Sequence, residues 1–495
     1  MRRVALHNAF RAAAPYYRIF FIAMPRQTAI DLASAHFDSG AFLHTLQRRV
    51  AMPTESQRPD AAPHLIAYLK DEMGATLRDL GFQHEMIDNP IAGGPPFLIA
   101  ARIEDPSFTT VLLYGHGDVV GGDAANWREG LTPWAITIDG DRWYGRGTAD
   151  NKGQHAINLA ALDAVLAARG SLGFNVKIII EMGEEVGSPG LDALCAHYQE
   201  RLGADVLIAS DGPRQLSSAP TVFLGSRGAL HFRLRVGNDF GARHSGNWGG
   251  VLSNPAVVLA NALASLVDGQ GRIRINGLLP PPIPPRVRAL VEDLRVGADE
   301  GDPPLSEGWG EPGLSPAERI FAWNTLEILA MQSGNTAQPV SAIPRFAEAV
   351  CQLRFVVGTD WHNAKSLIET HLAREGFSQI DVSIEASGGA TRLDPDDPWV
   401  AFTTASLAET TGKPITVLPN LGGTIPNECF ADTLGLPTIW IPHSYPNCRQ
   451  HAPDEHLLAS VAREALQMMA GLFWDIGDAT AAVPKKSDAF PAASR

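Results

Sequence analysis

The feature of this chain that most restricts its fold is a series of short apolar segments that each stop at polar residues. Thr110–Tyr114 runs into Gly115 and His116, Val176–Ile180 into Glu181, and Val206–Ala209 into Ser210 and Asp211. Helical apolar spacing fills Asp150–Gly170 between the first two. Short continuous apolar runs suit strands buried on both faces. Their alternation with helices predicts an α/β sheet, and ligand sites in such sheets gather at the carboxyl ends of the strands. Carboxylate-bearing loops far apart in the chain can then converge.

The remaining pattern divides the chain. Residues 27–49 and 61–80 have helical spacing, the second stretch ending at Gly81. Period-two patterning at His231–Val236, a helix at Asn254–Val267, a strand at Glu348–Val356, a helix at Asn363–Glu375 and a strand at Ile380–Ile384 predict a second α+β unit. Pro-rich residues 280–285 and the Gly/Asp/Pro-rich stretch 296–316 mark a long insertion within it. A helix at Pro398–Thr411, a strand at Leu436–Ile441 and a helix at Glu455–Leu472 return to the first unit. The reading is an N-terminal extension at 1–24, a catalytic domain in two parts at 25–225 and 390–478, a smaller domain at 226–389, and a flexible tail at 479–495. A chain of 495 residues accommodates this, since domains average roughly 150 residues.

Composition excludes several classes. Forty basic against 54 acidic residues leave a net charge of -14, and no Lys/Arg run compensates, which argues against nucleic acid as a partner. Trp127, Trp134 and Trp143 accordingly read as packing residues rather than as a base-stacking platform. The first 24 residues are basic and then partly apolar, but Tyr16, Tyr17 and Arg18 interrupt them and no membrane-length apolar span follows. Cys195, Cys351, Cys429 and Cys448 are widely spaced without a CxxC pair, so free thiols in a reducing, cytoplasmic compartment are expected.

Five segments carry chemistry. LLYGHGDVV places His116 and Asp118 beyond a strand, where a carboxylate can fix the tautomer of a metal-ligating imidazole; alone, the pair reads more simply as polar loop packing or helix capping. GRGTADNKG puts Asp150 at a strand-to-helix transition, as a helix cap or as a carboxylate bridging two cations. EMGEEVGS supplies Glu184 and Glu185, either a solvated acidic loop or a pair in which one carboxylate binds metal while the other handles the proton of an attacking water. SDGP adds Asp211, and CRQHAPDE adds His451. His116, Asp150, Glu185, Asp211 and His451 together offer oxygen and nitrogen donors that suit zinc, with manganese or cobalt also accepted.

With ARHSGNWGG and GGTIPN added, this ordered set resembles the di-metal hydrolase family of acetylornithine deacetylase, succinyl-diaminopimelate desuccinylase, glutamate carboxypeptidase, aminoacylase and carnosinase, over roughly residues 27–475. The resemblance implies a mixed-sheet phosphorylase/hydrolase-like catalytic domain interrupted by a ferredoxin-like lid and dimerisation domain. By position, Asp150 would bridge two divalent ions, most simply zinc. His116 and Asp211 would complete one site, and Glu185 and His451 the other. Glu184 would be the general base, and Asp118 would orient His116. His244 would stabilise the oxyanion across a homodimer interface, and Arg354, Gly422, Gly423 and Thr424 would contact substrate. Asn151 departs from the methionine common after the bridging aspartate, without removing a ligand. Asp211, HSGNWGG and the long insertion look carnosinase-like, which implies a dipeptidase acting on small peptides. The alternative is an N-acyl-amino-acid amidohydrolase. His443, after PTIWIP, reads as a satisfied strand-end histidine and not as a ligand.

Overall fold

The computed structural model describes residues 25–299 and 301–488. The extension at 1–24 lies outside them, as does the end of the tail from residue 489. Eight strands form the larger sheet: β1 (Gln83–Ile87), β2 (Phe97–Arg102), β3 (Thr110–His116), β4 (Asn175–Glu181), β5 (Val206–Ala209), β6 (Thr221–Phe223), β11 (Thr416–Leu418) and β12 (Thr438–Trp440). Four more, β7 (Gly228–Gly237), β8 (Thr325–Ser333), β9 (Phe346–Phe355) and β10 (Asp381–Gly388), form a separate smaller sheet.

The larger sheet has the order β1-β2-β4-β3-β5-β12-β6-β11. It is mixed: β3 runs parallel to β4 and β5, and β12 parallel to β5, whereas β1, β2 and β4 are joined antiparallel. Its centre is apolar on both faces, as the continuous runs require, with Val111, Leu112, Ile179, Leu207 and Ile208 all buried. Helices Arg26–Asp38, Lys152–Arg169 and Ala459–Ile476 cover one face and share one core with it. Helix Leu191–His197 covers the other, around Leu112, Leu207 and Trp440. This three-layer α/β domain with a mixed sheet carries a smaller auxiliary domain.

In that smaller domain the antiparallel order is β8-β9-β7-β10. Helices Pro255–Leu266 and Ala364–Arg374 bury Leu259, Leu263 and Ile368 against Phe232, Leu234 and Leu353 of the sheet. The insertion behaves differently. Its helices Pro285–Val291 and Pro316–Phe321 place Val291, Ala317 and Phe321 in the core of the larger domain, with Phe223, Leu418 and Leu421. A stretch that reads in sequence as part of the α+β unit is thus packed beneath the other sheet.

Three elements differ from the sequence pattern. The helix expected over 27–49 breaks at Ser39–Gly40, where Gly40 has a φ of +82°, a left-handed conformation that glycine adopts without steric cost. The stretch over 61–80 is helical but contains a wider, π-type turn at Tyr68–Met73. The last helix starts at Ala459 rather than Glu455, because His456–Leu458 pairs antiparallel with Arg142–Tyr144 first.

Candidate active site

The parallel register of β3 and β4 sets His116 directly opposite Glu181, so the Glu184–Glu185 turn emerges beside the imidazole. β5 ends two residues before Asp211, on the other side of β3. His116 Nε2 lies 3.0 Å from Asp150 Oδ1 and 3.6 Å from Asp211 Oδ2. His451 Nε2 lies 3.1 Å from both Asp150 Oδ2 and Glu185 Oε2. Each oxygen of Asp150 therefore faces a different histidine. Three overlapping donor groups result, His116/Asp150/Asp211, Asp150/Glu185/His451 and His116/Glu184/Glu185, each with ligand atoms within 4.8 Å of one another. All six side chains brought together are ones the sequence motifs predict, His116, Glu184, Glu185 and Asp211 from the ends of apolar runs, Asp150 from a strand-to-helix transition and His451 from the segment before the last helix.

Surrounding groups hold these atoms in place. Asp118 is fully buried; His116 Nδ1 is hydrogen-bonded to its backbone O at 3.0 Å and lies 3.4 Å from its Oδ1. Its two carboxylate oxygens also accept the backbone N–H groups of Glu184 at 3.2 Å and Glu185 at 3.1 Å. One residue thus aligns the histidine and the glutamate turn, through its backbone carbonyl and its side chain. Gly117 between them permits close packing, since a Cβ there would lie 2.4 Å from the Tyr68 ring. Asn151 donates to Ser210 O at 2.8 Å, tying the Asp150 loop to the strand that delivers Asp211. His451 has a φ of +60°, unusual for a non-glycine residue, and its side chain remains exposed.

Electrostatics follow from packing Asp150, Glu184, Glu185 and Asp211 into a largely buried patch. Burial raises Glu184 well above the ordinary carboxylate range, and Asp211, Glu185 and Asp150 reinforce the shift. Burial and Asp150 push Glu185 up to about 7. Hydrogen bonding to Asp150 and Glu185 raises His451 to about 11, and the carboxylates around His116 raise it despite its burial. Excess negative potential of this kind recruits positive charge. Two divalent cations would supply it, since imidazole and carboxylate atoms converge as ligands do. The donor set fits a dinuclear centre.

The other expected residues lie apart from this cluster. His244 sits on the smaller domain in a two-residue strand paired with Ala342, exposed, its Nδ1 accepting the Gly246 N–H. Arg354 on β9 donates to Thr424 Oγ1 at 3.0 Å, which joins it to the Gly422–Gly423–Thr424 loop. His443 is buried, bonded through Nε2 to Ser210 Oγ at 2.9 Å, and belongs to none of the donor groups. Cys195, Cys351, Cys429 and Cys448 are free thiols.

Two residues escaped the sequence reading. Arg227 donates to Gly422 O at 2.8 Å beside Arg354, and its buried Nη1 has no partner among the described residues. Two guanidinium groups therefore flank the glycine loop. Glu455 is buried and accepts the Asp150 N–H. It stands inside the CRQHAPDE segment, four residues after His451, so its acidity and motif position were the available signal.

The fold and this cluster define a two-domain α/β protein with a candidate dinuclear cation centre. The chain belongs to peptidase family M20/M25/M40, which matches residues 112–475. A Beta-Ala-His dipeptidase of Homo sapiens is 33% identical over 261 residues, covering 49% of this chain and 50% of that protein. The chain thus spans about half the length of that relative. The di-peptidase Dug1p of Saccharomyces cerevisiae has the same fold, with a TM-score of 0.77 and 21% identity over 93% of this chain and 100% of that one. The M20 family metallo-carboxypeptidase Sso-CP2 of Sulfolobus solfataricus gives a TM-score of 0.74 and 25% identity, covering 88% and 99%. No helix among the described residues is long and apolar enough to cross a membrane.

Proposed function

We propose that this chain is a di-metal dipeptidase of the carnosinase-like branch, hydrolysing the amide bond of a small carboxylate-bearing peptide. The observation that carries the reading is Asp150, whose two oxygens face separate histidine-containing donor groups. His116 and Asp211 would hold one divalent ion with it, and Glu185 and His451 the other. Zinc suits these donors, and manganese or cobalt would be accepted. The Beta-Ala-His dipeptidase relative favours a dipeptide over other amides.

When bound, the ions would polarise the scissile carbonyl and acidify a water molecule. Glu184 takes the proton of the attacking water. Its carboxylate forms no hydrogen bond with a described side chain and lies beside both His116 and Glu185, as a general base at this centre requires. The same carboxyl group then returns the proton to the leaving amine. Arg354 and Arg227 receive the substrate carboxylate in the planar, two-pronged manner of guanidinium groups, and Gly422 and Gly423 let the substrate backbone approach. We assign the smaller domain, with its exposed His244, the part of a lid and dimerisation domain in which His244 stabilises the oxyanion of the partner subunit.

The test is hydrolysis of matched free dipeptides and N-acyl amino acids after metal removal and controlled zinc or manganese restoration. Metal-restored turnover of dipeptides supports the proposal. Preference for the acylated substrates would move the chain to the amidohydrolases, and turnover that persists without metal would overturn the reading.

A further inference from the structure

A cavity of about 650 Å³ opens between the two domains, and no residue of the His116–His451 cluster lines it. Its walls come from the turn after β9, which carries Trp361, from the segment Gly389–Asp394 that returns to the larger domain, and from the larger domain around Glu428. The returning segment is bound to the outgoing one. Thr391 N–H donates to Ser226 O at 3.0 Å, and Leu393 N–H to Leu224 O at 2.7 Å. The cavity therefore sits where the smaller domain is hinged.

Its charged groups are incompletely matched. The Arg392 guanidinium, half-buried, forms no hydrogen bond with a described residue, and Asp394, the acid whose charge acts on it, is 3.4 Å from Arg286. Glu428 accepts the Gly389 N–H at 2.7 Å and pairs with no described cation. Lys486 gives its ammonium group to Leu434 O at 3.0 Å. Trp361, stacked on Phe355 with ring centroids 5.6 Å apart, adds an apolar wall. A half-buried guanidinium without an acceptor suits a planar carboxylate, and a carboxylate without a cation suits an ammonium group.

We propose that this hinge cavity binds a free α-amino acid as its zwitterion, carboxylate on Arg392, ammonium on Glu428 and side chain against Trp361. An occupant touching all three walls joins the domains and restrains rotation of the smaller one about its paired connectors. The site uses no group of the metal cluster, so it stands or falls separately from the dipeptidase reading.

Equilibrium dialysis of labelled L-leucine against the metal-loaded full chain tests this, with N-acetyl-L-leucine lacking the ammonium and isoamylamine lacking the carboxylate as comparisons. Saturable binding of leucine is expected, weakened about tenfold or more by Arg392→Gln and by Glu428→Gln. Both comparison compounds should bind correspondingly less well. Should Arg392→Gln fail to fold, Gly389→Ala serves in its place, because its added Cβ would lie 2.5 Å from the Glu428 carboxylate. Absent saturable binding, binding that the variants leave unchanged, or equal binding of N-acetyl-L-leucine would overturn the proposal.

Discussion

Glu455 and Asp150, 305 residues apart in the chain, meet through the backbone: the Asp150 N–H donates to Glu455 Oε1 at 3.0 Å. The same carboxylate accepts the N–H groups of Gly147 and Ala149, each at 3.0 Å, and pairs with buried Arg146 at 2.8 Å. The loop that delivers Asp150 is therefore shaped by the segment that also carries His451, and the two proposed ligands are placed together.

Glu455→Gln keeps the side-chain volume but removes the charge that matches Arg146. Metal affinity should fall by roughly 10–100-fold, the range typical of residues that orient ligands. Glu455→Ala should cost about 3–5 kcal/mol of stability, because Arg146 is left buried and unpaired. Chelator competition and denaturant melts measure these effects. Affinity and stability equal to wild type in both variants would remove Glu455 from the site.

Glu184→Gln separates binding from proton transfer. Turnover should drop by roughly 10²–10⁴-fold, while two ions per chain remain by metal analysis. Retained turnover would sink Glu184 as the base, and loss of metal would make it a ligand instead.

Removing metal should abolish activity and lower the melting temperature, since four acidic side chains then repel within one patch. Restoration at about 100 times the dissociation constant should return about 2.7 kcal/mol for each independent site. A melting curve indifferent to chelator would contradict a dinuclear centre.

Arg354→Gln and Arg227→Gln should raise KM for a carboxylate-bearing substrate, and the effect should vanish for the corresponding peptide amide. Charge-assisted hydrogen bonds to a carboxylate contribute about 1.5–3 kcal/mol each. An equal loss on both substrates would show that the arginines only support the Gly422–Thr424 loop.

His443 gives a pH-dependent prediction. Burial, assisted by Arg214, holds its pKa well below 6.5, so the folded protein keeps it neutral where the unfolded chain takes up a proton. The stability it contributes is fully present above about pH 6.5 and is lost as the pH falls below that, by up to about 1.4 kcal/mol per pH unit. His443→Asn should flatten this acid-side slope. Parallel pH–stability curves for variant and wild type would show that His443 titrates normally.

Much of this site was legible because its residues follow apolar runs. His116, Glu184, Glu185 and Asp211 could be found by asking where each run stops, and the parallel strands β3, β4 and β5 then bring those ends together. Glu455 could not be assigned in the same way, because its partners are Arg146, 309 residues away, and backbone N–H groups that any sequence would present. Arg227 was hidden for a related reason: its significance depends on Arg354 and Gly422, neither of them close in sequence. Short strands such as β6 and β11 lack the length to show a period, and the insertion's apolar residues carry no mark of which sheet they will meet.

The packing of that insertion bears on how modular the protein is. Joining residue 226 directly to 391 would delete the smaller domain, yet it would also strip Val291, Ala317 and Phe321 from the underside of the larger sheet and bare Phe223 and Leu418 to water. A shuffled or truncated descendant of this chain could not shed its auxiliary domain in one cut without growing a new floor.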